Sequence, residues 1–345
     1  EQGKFNFTHS DSIIRAMSKY KLAGVYTVMA ATFGDRSNPW SRVCWVLPRW
    51  VMDRDPAGPQ GVKNPFVTNP RFSPLWCPRQ DDWEQFLTAV VQRYKGQIDS
   101  YEIFNEPQLM MNAASYFPYL KTAYQTIKRM DPEAGVVGIC ATSDFGVNAD
   151  SFIAQVIRMG GGKYCDVISY HPYLKLDDST PSQMEQYAGI YKNFRAYGVN
   201  KPLANTENYF FENGDAFHFW WNKAPDYDIS RYIRHHLIDM GEGIAFSTTV
   251  EYDSAFFSSF IHPAQVFHNR SRHGKPQPNL RYAVQAGTSQ MISGAKPLRK
   301  IDLPSGALGY TYRKEEGLFT VLWNARAKQK SWITLELPKG ETEEQ

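Results

Sequence analysis

Two short stretches of the chain place a glutamate where an apolar strand runs out. In Tyr101-Glu102-Ile103-Phe104-Asn105-Glu106-Pro107 the apolar run ends at Glu106, and Pro107, with no backbone N–H for a ladder, stops the strand. In Pro202-Leu203-Ala204-Asn205-Thr206-Glu207-Asn208 a second apolar run ends at Glu207. Alone, each is a common way to start a loop. As a pair they can divide a reaction between them. One carboxylic acid protonates a leaving oxygen while one carboxylate attacks or stabilises the carbon left behind. Glycosidic bond cleavage uses that division, with the carboxyls about 5–5.5 Å apart when the anomeric configuration is retained.

The elements that must hold this pair follow from the periodicity. A helix over 13–21 and a strand over 24–30 precede a loop from about 32 to 79, rich in Pro, Trp and Arg. Trp83, Phe86, Leu87, Val90 and Val91 recur at helical spacing and predict a helix over 81–94, followed by a strand over 99–104. Helices over 114–130, 151–159, 184–197, 230–240 and 280–292 then alternate with strands over 135–142, 165–170, 202–206 and 243–250. Such alternation implies a parallel sheet covered by helices. The loops after the strands are long and those before them short, as in barrels whose sites sit on the loops after the strands. Beyond about residue 296 the style changes. Strands over 307–313 and 318–324 flank a Glu-Glu-Gly turn, and 331–337 alternates in the same way. The expected division is a barrel over 1–296 and an antiparallel β appendage over 297–345.

Composition narrows the partners. Lys and Arg number 38 against 35 Asp and Glu, so a net charge of +3 gives no electrostatic footprint for nucleic acid or an acidic membrane. A hydrophobic content of 42% is too high for a disordered chain. No apolar run approaches the roughly 20 residues of a membrane-spanning helix. Cys44 and Cys77 share one aromatic-rich segment and could pair if the protein is exported, whereas Cys140 and Cys165 sit in apolar strands and read as buried thiols. No Cys/His spacing suggests a metal. Gly160-Gly161-Gly162 follows a helix instead of opening one, so it is no phosphate cradle. No metal and no cofactor are expected. The sequence leaves the oligomeric state open, and secretion or a periplasmic location is the favoured compartment.

At Asn105-Glu106-Pro107 and at Asp166-Val167-Ile168-Ser169-Tyr170-His171-Pro172-Tyr173 the chain resembles glycoside hydrolase clan A. Family 39, the β-xylosidase and iduronidase relatives, is the nearest in pattern, with families 5, 42 and 51 as neighbours. The resemblance implies a (β/α)8 TIM barrel in which Glu106 follows strand 4 as acid/base and Glu207 ends strand 7 as nucleophile. It implies a retaining hydrolase acting on a plant- or microbe-derived oligo- or polysaccharide. Asn105 would contact the sugar 2-hydroxyl, and His171 or Tyr173, ending strand 6, would orient Glu207. Trp45 and Trp220, in the loops after strands 3 and 7, would stack on sugar rings, although a tryptophan that packs a long loop is the simpler reading of either alone. Counting back from strand 4, strands 1 and 2 fall outside the chain, so the resemblance implies an N-terminally truncated barrel carrying strands 3 to 8 and part of a C-terminal β domain. A transglycosylase on the same fold, a non-catalytic carbohydrate-binding relative and an unrelated barrel enzyme remain as alternatives. The last would call for a Schiff-base lysine or a phosphate loop.

Overall fold

The computed structural model describes residues 3–29, 78–109, 111–142, 151–171, 192, 195–207, 225–248, 267–268, 277–278, 280–302 and 307–324. The chain forms two compact units. The first comprises Glu1–Tyr173, Glu185–Tyr209 and Ile244–Val250, and the second Leu174–Met184, Phe210–Gly243 and Glu251–Gln345.

The first unit is a parallel sheet with helices. Helix α1 (Thr8–Tyr20) leads to β1 (Val25–Val28), α2 (Gln80–Tyr94) to β2 (Ser100–Ile103), and α3 (Ala113–Met130) to β3 (Gly135–Thr142). A short α4 (Phe152–Arg158) precedes β4 (Val167–His171), and β5 (Leu203–Asn205) follows. The strands pair in chain order, β1-β2-β3-β4-β5, and every pairing is parallel. A further segment continues the order beside β5. Ala245 donates its N–H to the Leu203 carbonyl, Asn205 donates to Phe246, and Thr248 donates to Asn205. Because the strands are parallel and consecutive, their C-terminal ends share one edge, and Ile103, Thr142, His171 and Asn205 all lie near it.

The sheet is held from its helical side. Trp83, Leu87, Val90, Val91 and Tyr94 form the buried face of α2, and Tyr116, Leu120, Ala123 and Ile127 that of α3. Asn112 starts α3 by accepting the Ser115 N–H at 2.9 Å, and Ser151 starts α4 by accepting the Ala154 N–H at 3.1 Å. Gly138 permits the close approach of β3 to its neighbours, because a Cβ there would lie 2.8 Å from Cys165 Cβ and 3.0 Å from Leu120 Cδ1. At α1 the helix begins five residues earlier than the periodicity predicts, at Thr8 instead of Ile13, since its first turn is polar and the apolar pattern starts only at Ile13.

The second unit contains α5 (Pro225–Gly241), the short strands β6 (Phe267–His268) and β7 (Gln277–Pro278), α6 (Leu280–Ile292) and the antiparallel sheet β10-β9-β8. Its strands are β8 (Lys296–Asp302), β9 (Ala307–Lys314) and β10 (Gly317–Asn324). The first of these escapes the sequence reading, because Lys-Pro-Leu-Arg-Lys-Ile-Asp carries too many charges to alternate cleanly. Tyr310 and Tyr312 of β9 anchor α5 by donating to the Glu242 carboxylate at 2.6 Å and the Leu237 carbonyl at 2.6 Å. The expected strand over 331–337 and most of the expected helix over 184–197 lie outside the described residues. Among the described residues no helix is long and apolar enough to cross a membrane.

Candidate active site

The chain leaves β2 through a strained turn. Phe104 has φ 67° and Glu106 φ 47°, left-handed values that non-glycine residues avoid at a cost on the order of 1–3 kcal/mol each. Aromatic packing supports the turn. The Phe104 ring stands 5.4 Å from Trp83, 5.9 Å from Tyr116 and 5.6 Å from Tyr119 between centroids, and Trp83 donates its indole N–H to the Tyr119 carbonyl at 3.1 Å. The sharp exit aims Glu106 at the sheet edge instead of continuing along the strand.

There it meets two other side chains. Glu106 Oε1 lies 3.0 Å from His171 Nδ1, and Glu207 Oε2 lies 3.9 Å from the same nitrogen. One ligand-capable atom from each of Glu106, His171 and Glu207 falls within 4.8 Å of the others. Three strand ends therefore deliver the trio: β2 gives Glu106, β4 gives His171, and β5, two residues on, gives Glu207. The His171 side chain is 1% exposed, against 15% for Glu106 and 27% for Glu207. Both carboxyls are partly exposed, and the imidazole is buried.

His171 or Tyr173 was expected to orient Glu207. His171 Nδ1 reaches both carboxylates, with its 3.0 Å hydrogen bond to Glu106 and Glu207 Oε2 at 3.9 Å. Burial disfavours the charged imidazolium, but Cys140, Glu106 and Glu207 outweigh it and raise the His171 pKa well above the usual histidine value. A buried imidazole thus sits between two carboxylates.

Below it lies a second group that residue spacing did not bring together. Cys140 Sγ is 3.1 Å from His171 Nε2, and Glu102 is 4% exposed. Glu102 Oε2 accepts the Thr27 hydroxyl at 3.0 Å, while its Oε1 has no hydrogen-bond partner among the described residues. The inward period of β2 gave the one available signal, since Glu102 interrupts an apolar strand. Cys140 gave none beyond its apolar context, because its direction depends on an irregularity in β3.

Two trios, Glu106/His171/Glu207 and Glu102/Cys140/His171, are compact enough to be tested as cation sites. Both would draw on the His171 ring. Its Nδ1 is engaged by Glu106 and its Nε2 by Cys140, so ligation through either nitrogen would break one of these contacts. We assign no metal here. Asn105 is half-buried beside Glu106. Tyr173, Trp45 and Trp220 lie outside the described residues, as do Cys44 and Cys77.

No family model matches the sequence, and no curated protein matches it. Solved structures do. A family 39 glycoside hydrolase from the gut symbiont Bacteroides cellulosilyticus WH2 aligns over 94% of this chain and 62% of its own, with a TM-score of 0.62 and 15% identity. A glucosidase from Croceicoccus marinus aligns over 92% and 60%, with a TM-score of 0.62 and 13% identity. A family 86 glycoside hydrolase in complex with neoagarooctaose aligns over 72% and 46%, with a TM-score of 0.54 and 14% identity. The chain spans about three fifths of the length of the first two. At these identities the likeness is one of fold: a TIM-barrel-like α/β fold with a β domain, as the sequence resemblance implied.

Proposed function

We propose that the chain is the catalytic part of a retaining O-glycosyl hydrolase, with Glu106 as acid/base and Glu207 as nucleophile. The observation that carries this reading is the meeting of two carboxylates within 4.8 Å at the C-terminal edge of a parallel sheet. Carboxylate oxygens this close support the retaining reading, in which the carboxyls stand about 5–5.5 Å apart and one attacks the anomeric carbon directly. In the barrel numbering of the resemblance, β2 and β5 would be strands 4 and 7, the segment over 243–250 would be strand 8, and the β appendage would begin near Pro297.

In the first step Glu106 protonates the glycosidic oxygen as the leaving group departs, and Glu207 bonds to the anomeric carbon. In the second, Glu106 takes a proton from water, which breaks the Glu207 ester and restores both groups. His171 Nδ1, 3.0 Å from Glu106 Oε1, holds a proton beside the group that must give and regain one. Asn105 would contact the 2-hydroxyl, where a bond that tightens in the transition state raises the rate. Tyr173, Trp45 and Trp220 remain candidates to shape the sugar cleft of an oligo- or polysaccharide substrate.

A panel of aryl glycosides, with the anomer of the first-formed product read by NMR, tests the proposal. The expected result is release of the phenol with retention of configuration. Inversion would reject the nucleophile role of Glu207. Transfer of the sugar to an added alcohol in preference to water would select the transglycosylase alternative.

A further inference from the structure

Cys140 has no step in the reaction above, yet it touches the machinery. Its sulfur lies 3.1 Å from His171 Nε2 and 3.9 Å from the hydroxyl of Thr206, the residue before Glu207. One buried atom thus reaches the imidazole that holds the carboxyl of the proposed acid/base and the neighbour of the proposed nucleophile.

β3 departs from regular geometry to put the sulfur there. Its register with β4 shifts between Gly138 and Ala141, and Ile139 and Cys140 take φ values of 80° and 47°. A β-branched residue in the left-handed region is a clear outlier. Bulges of this kind re-aim side chains beside sites. Tyr116 supports the irregular stretch by accepting the Ile139 N–H at 3.0 Å and donating to the Ile103 carbonyl at 3.0 Å, which ties β3 to β2 just before the strained exit to Glu106.

We propose that Cys140 is a positioning residue whose sulfur fixes His171 Nε2, so that His171 Nδ1 is presented to the Glu106 carboxyl. The groups facing this centre are Glu102 from β2, Glu106 beyond it, His171 from β4 and Glu207 beyond β5. Burial, and then Glu102, push the Cys140 thiol up to about 11, while His171 pulls it the other way. Its sulfur serves the imidazole as a hydrogen-bond partner. A purely apolar filler could occupy the same volume but could not hold Nε2.

The test is a 15N-histidine NMR titration of the full chain, wild type beside Cys140→Ala, Cys140→Ser and Cys140→Gly. Glycine accepts the φ of 47° at Cys140 without strain, so it is a second deletion should the alanine variant not fold. The His171 midpoint is expected to fall in the alanine and glycine variants, and serine, whose hydroxyl can replace the thiol, is expected to restore most of the difference. An apolar packing role gives the opposite order, with alanine harmless and a buried hydroxyl disruptive. A His171 midpoint unmoved by both deletions, or serine no better than alanine, overturns the proposal. On the best aryl glycoside, alanine should lower kcat about tenfold with KM within about twofold, because the loss is one of orientation. The functional meaning rests on the glycosidase reading, but the titration needs no turnover. Absence of glycosidase activity would defeat that reading while the histidine spectrum still decides the role of Cys140.

Discussion

His171 in the first unit and His236 in the second are both largely buried, and their environments drive them in opposite directions. His171, at the end of β4, is surrounded by Cys140, Glu106 and Glu207, which raise its pKa against the opposing effect of burial. His236, within α5, is lowered to about 4 by burial first and by the neighbouring His235 second, with Asp239 pulling only weakly the other way. Burial by itself makes a histidine neutral and structural. Burial among carboxylates makes it a held proton. The contrast separates a packing helix from a carboxylate-lined sheet edge without reference to any relative.

Four experiments would break or sharpen that contrast. The largest effect belongs to the carboxylates: Glu106→Gln or Glu207→Gln should each lower kcat by about 10³-fold or more with the fold intact, and a variant with near-normal turnover would remove its residue from the site. Next, His171→Asn should lower kcat by about 10²-fold through misplacement of Glu106, whereas His236→Gln should leave kcat unchanged. Equal losses from both would erase the distinction.

The third experiment is acid unfolding. The folded midpoint of His236, about 4, lies below the ordinary value of 6.5, so the unfolded chain takes up more protons between the two. Its contribution is intact above pH 6.5 and is lost as pH falls toward 4, by up to roughly 3 kcal/mol. His171 acts in the opposite sense. Its raised midpoint gives stability below about pH 6.5 that is lost as pH rises through the folded value. Denaturant midpoints measured from pH 7 to pH 4.5 should therefore fall less steeply in His236→Gln than in wild type, and an unchanged slope would contradict the assignment. The smallest effect is that of Tyr116→Phe. Losing the hydroxyl that joins Ile139 to Ile103 should cost roughly 1–3 kcal/mol of stability, since it leaves a buried N–H unsatisfied, and a chemical melt reads this directly.

Much of the frame was legible in the sequence. The spacing of Trp83, Leu87, Val90 and Val91 marked α2, and β3 and α6 coincide with the segments predicted for them. Glu106 and Glu207 were visible as strand-end acids because apolar runs stop abruptly beside them. What the pattern could not carry was direction. The left-handed turn at Phe104 and Glu106 accompanies the 3.0 Å approach of Glu106 to His171, and nothing in Phe-Asn-Glu-Pro specifies a positive φ. Likewise the bulge at Ile139 and Cys140 turns a residue that reads as core into the support of a site, because a register shift of this kind leaves no mark in residue type. The strand β8 was hidden for a simpler reason: its charges mask the alternation.

The most direct measurement is covalent trapping. A 2-deoxy-2-fluoro glycoside with a good leaving group, chosen from whichever sugar the aryl panel selects, slows breakdown of the glycosyl-enzyme more than it slows its formation. Peptide mass spectrometry should then find one sugar on the peptide carrying Glu207. A label on Glu106, on His171 or on no residue of this chain while the wild-type protein turns over the parent sugar would contradict the account.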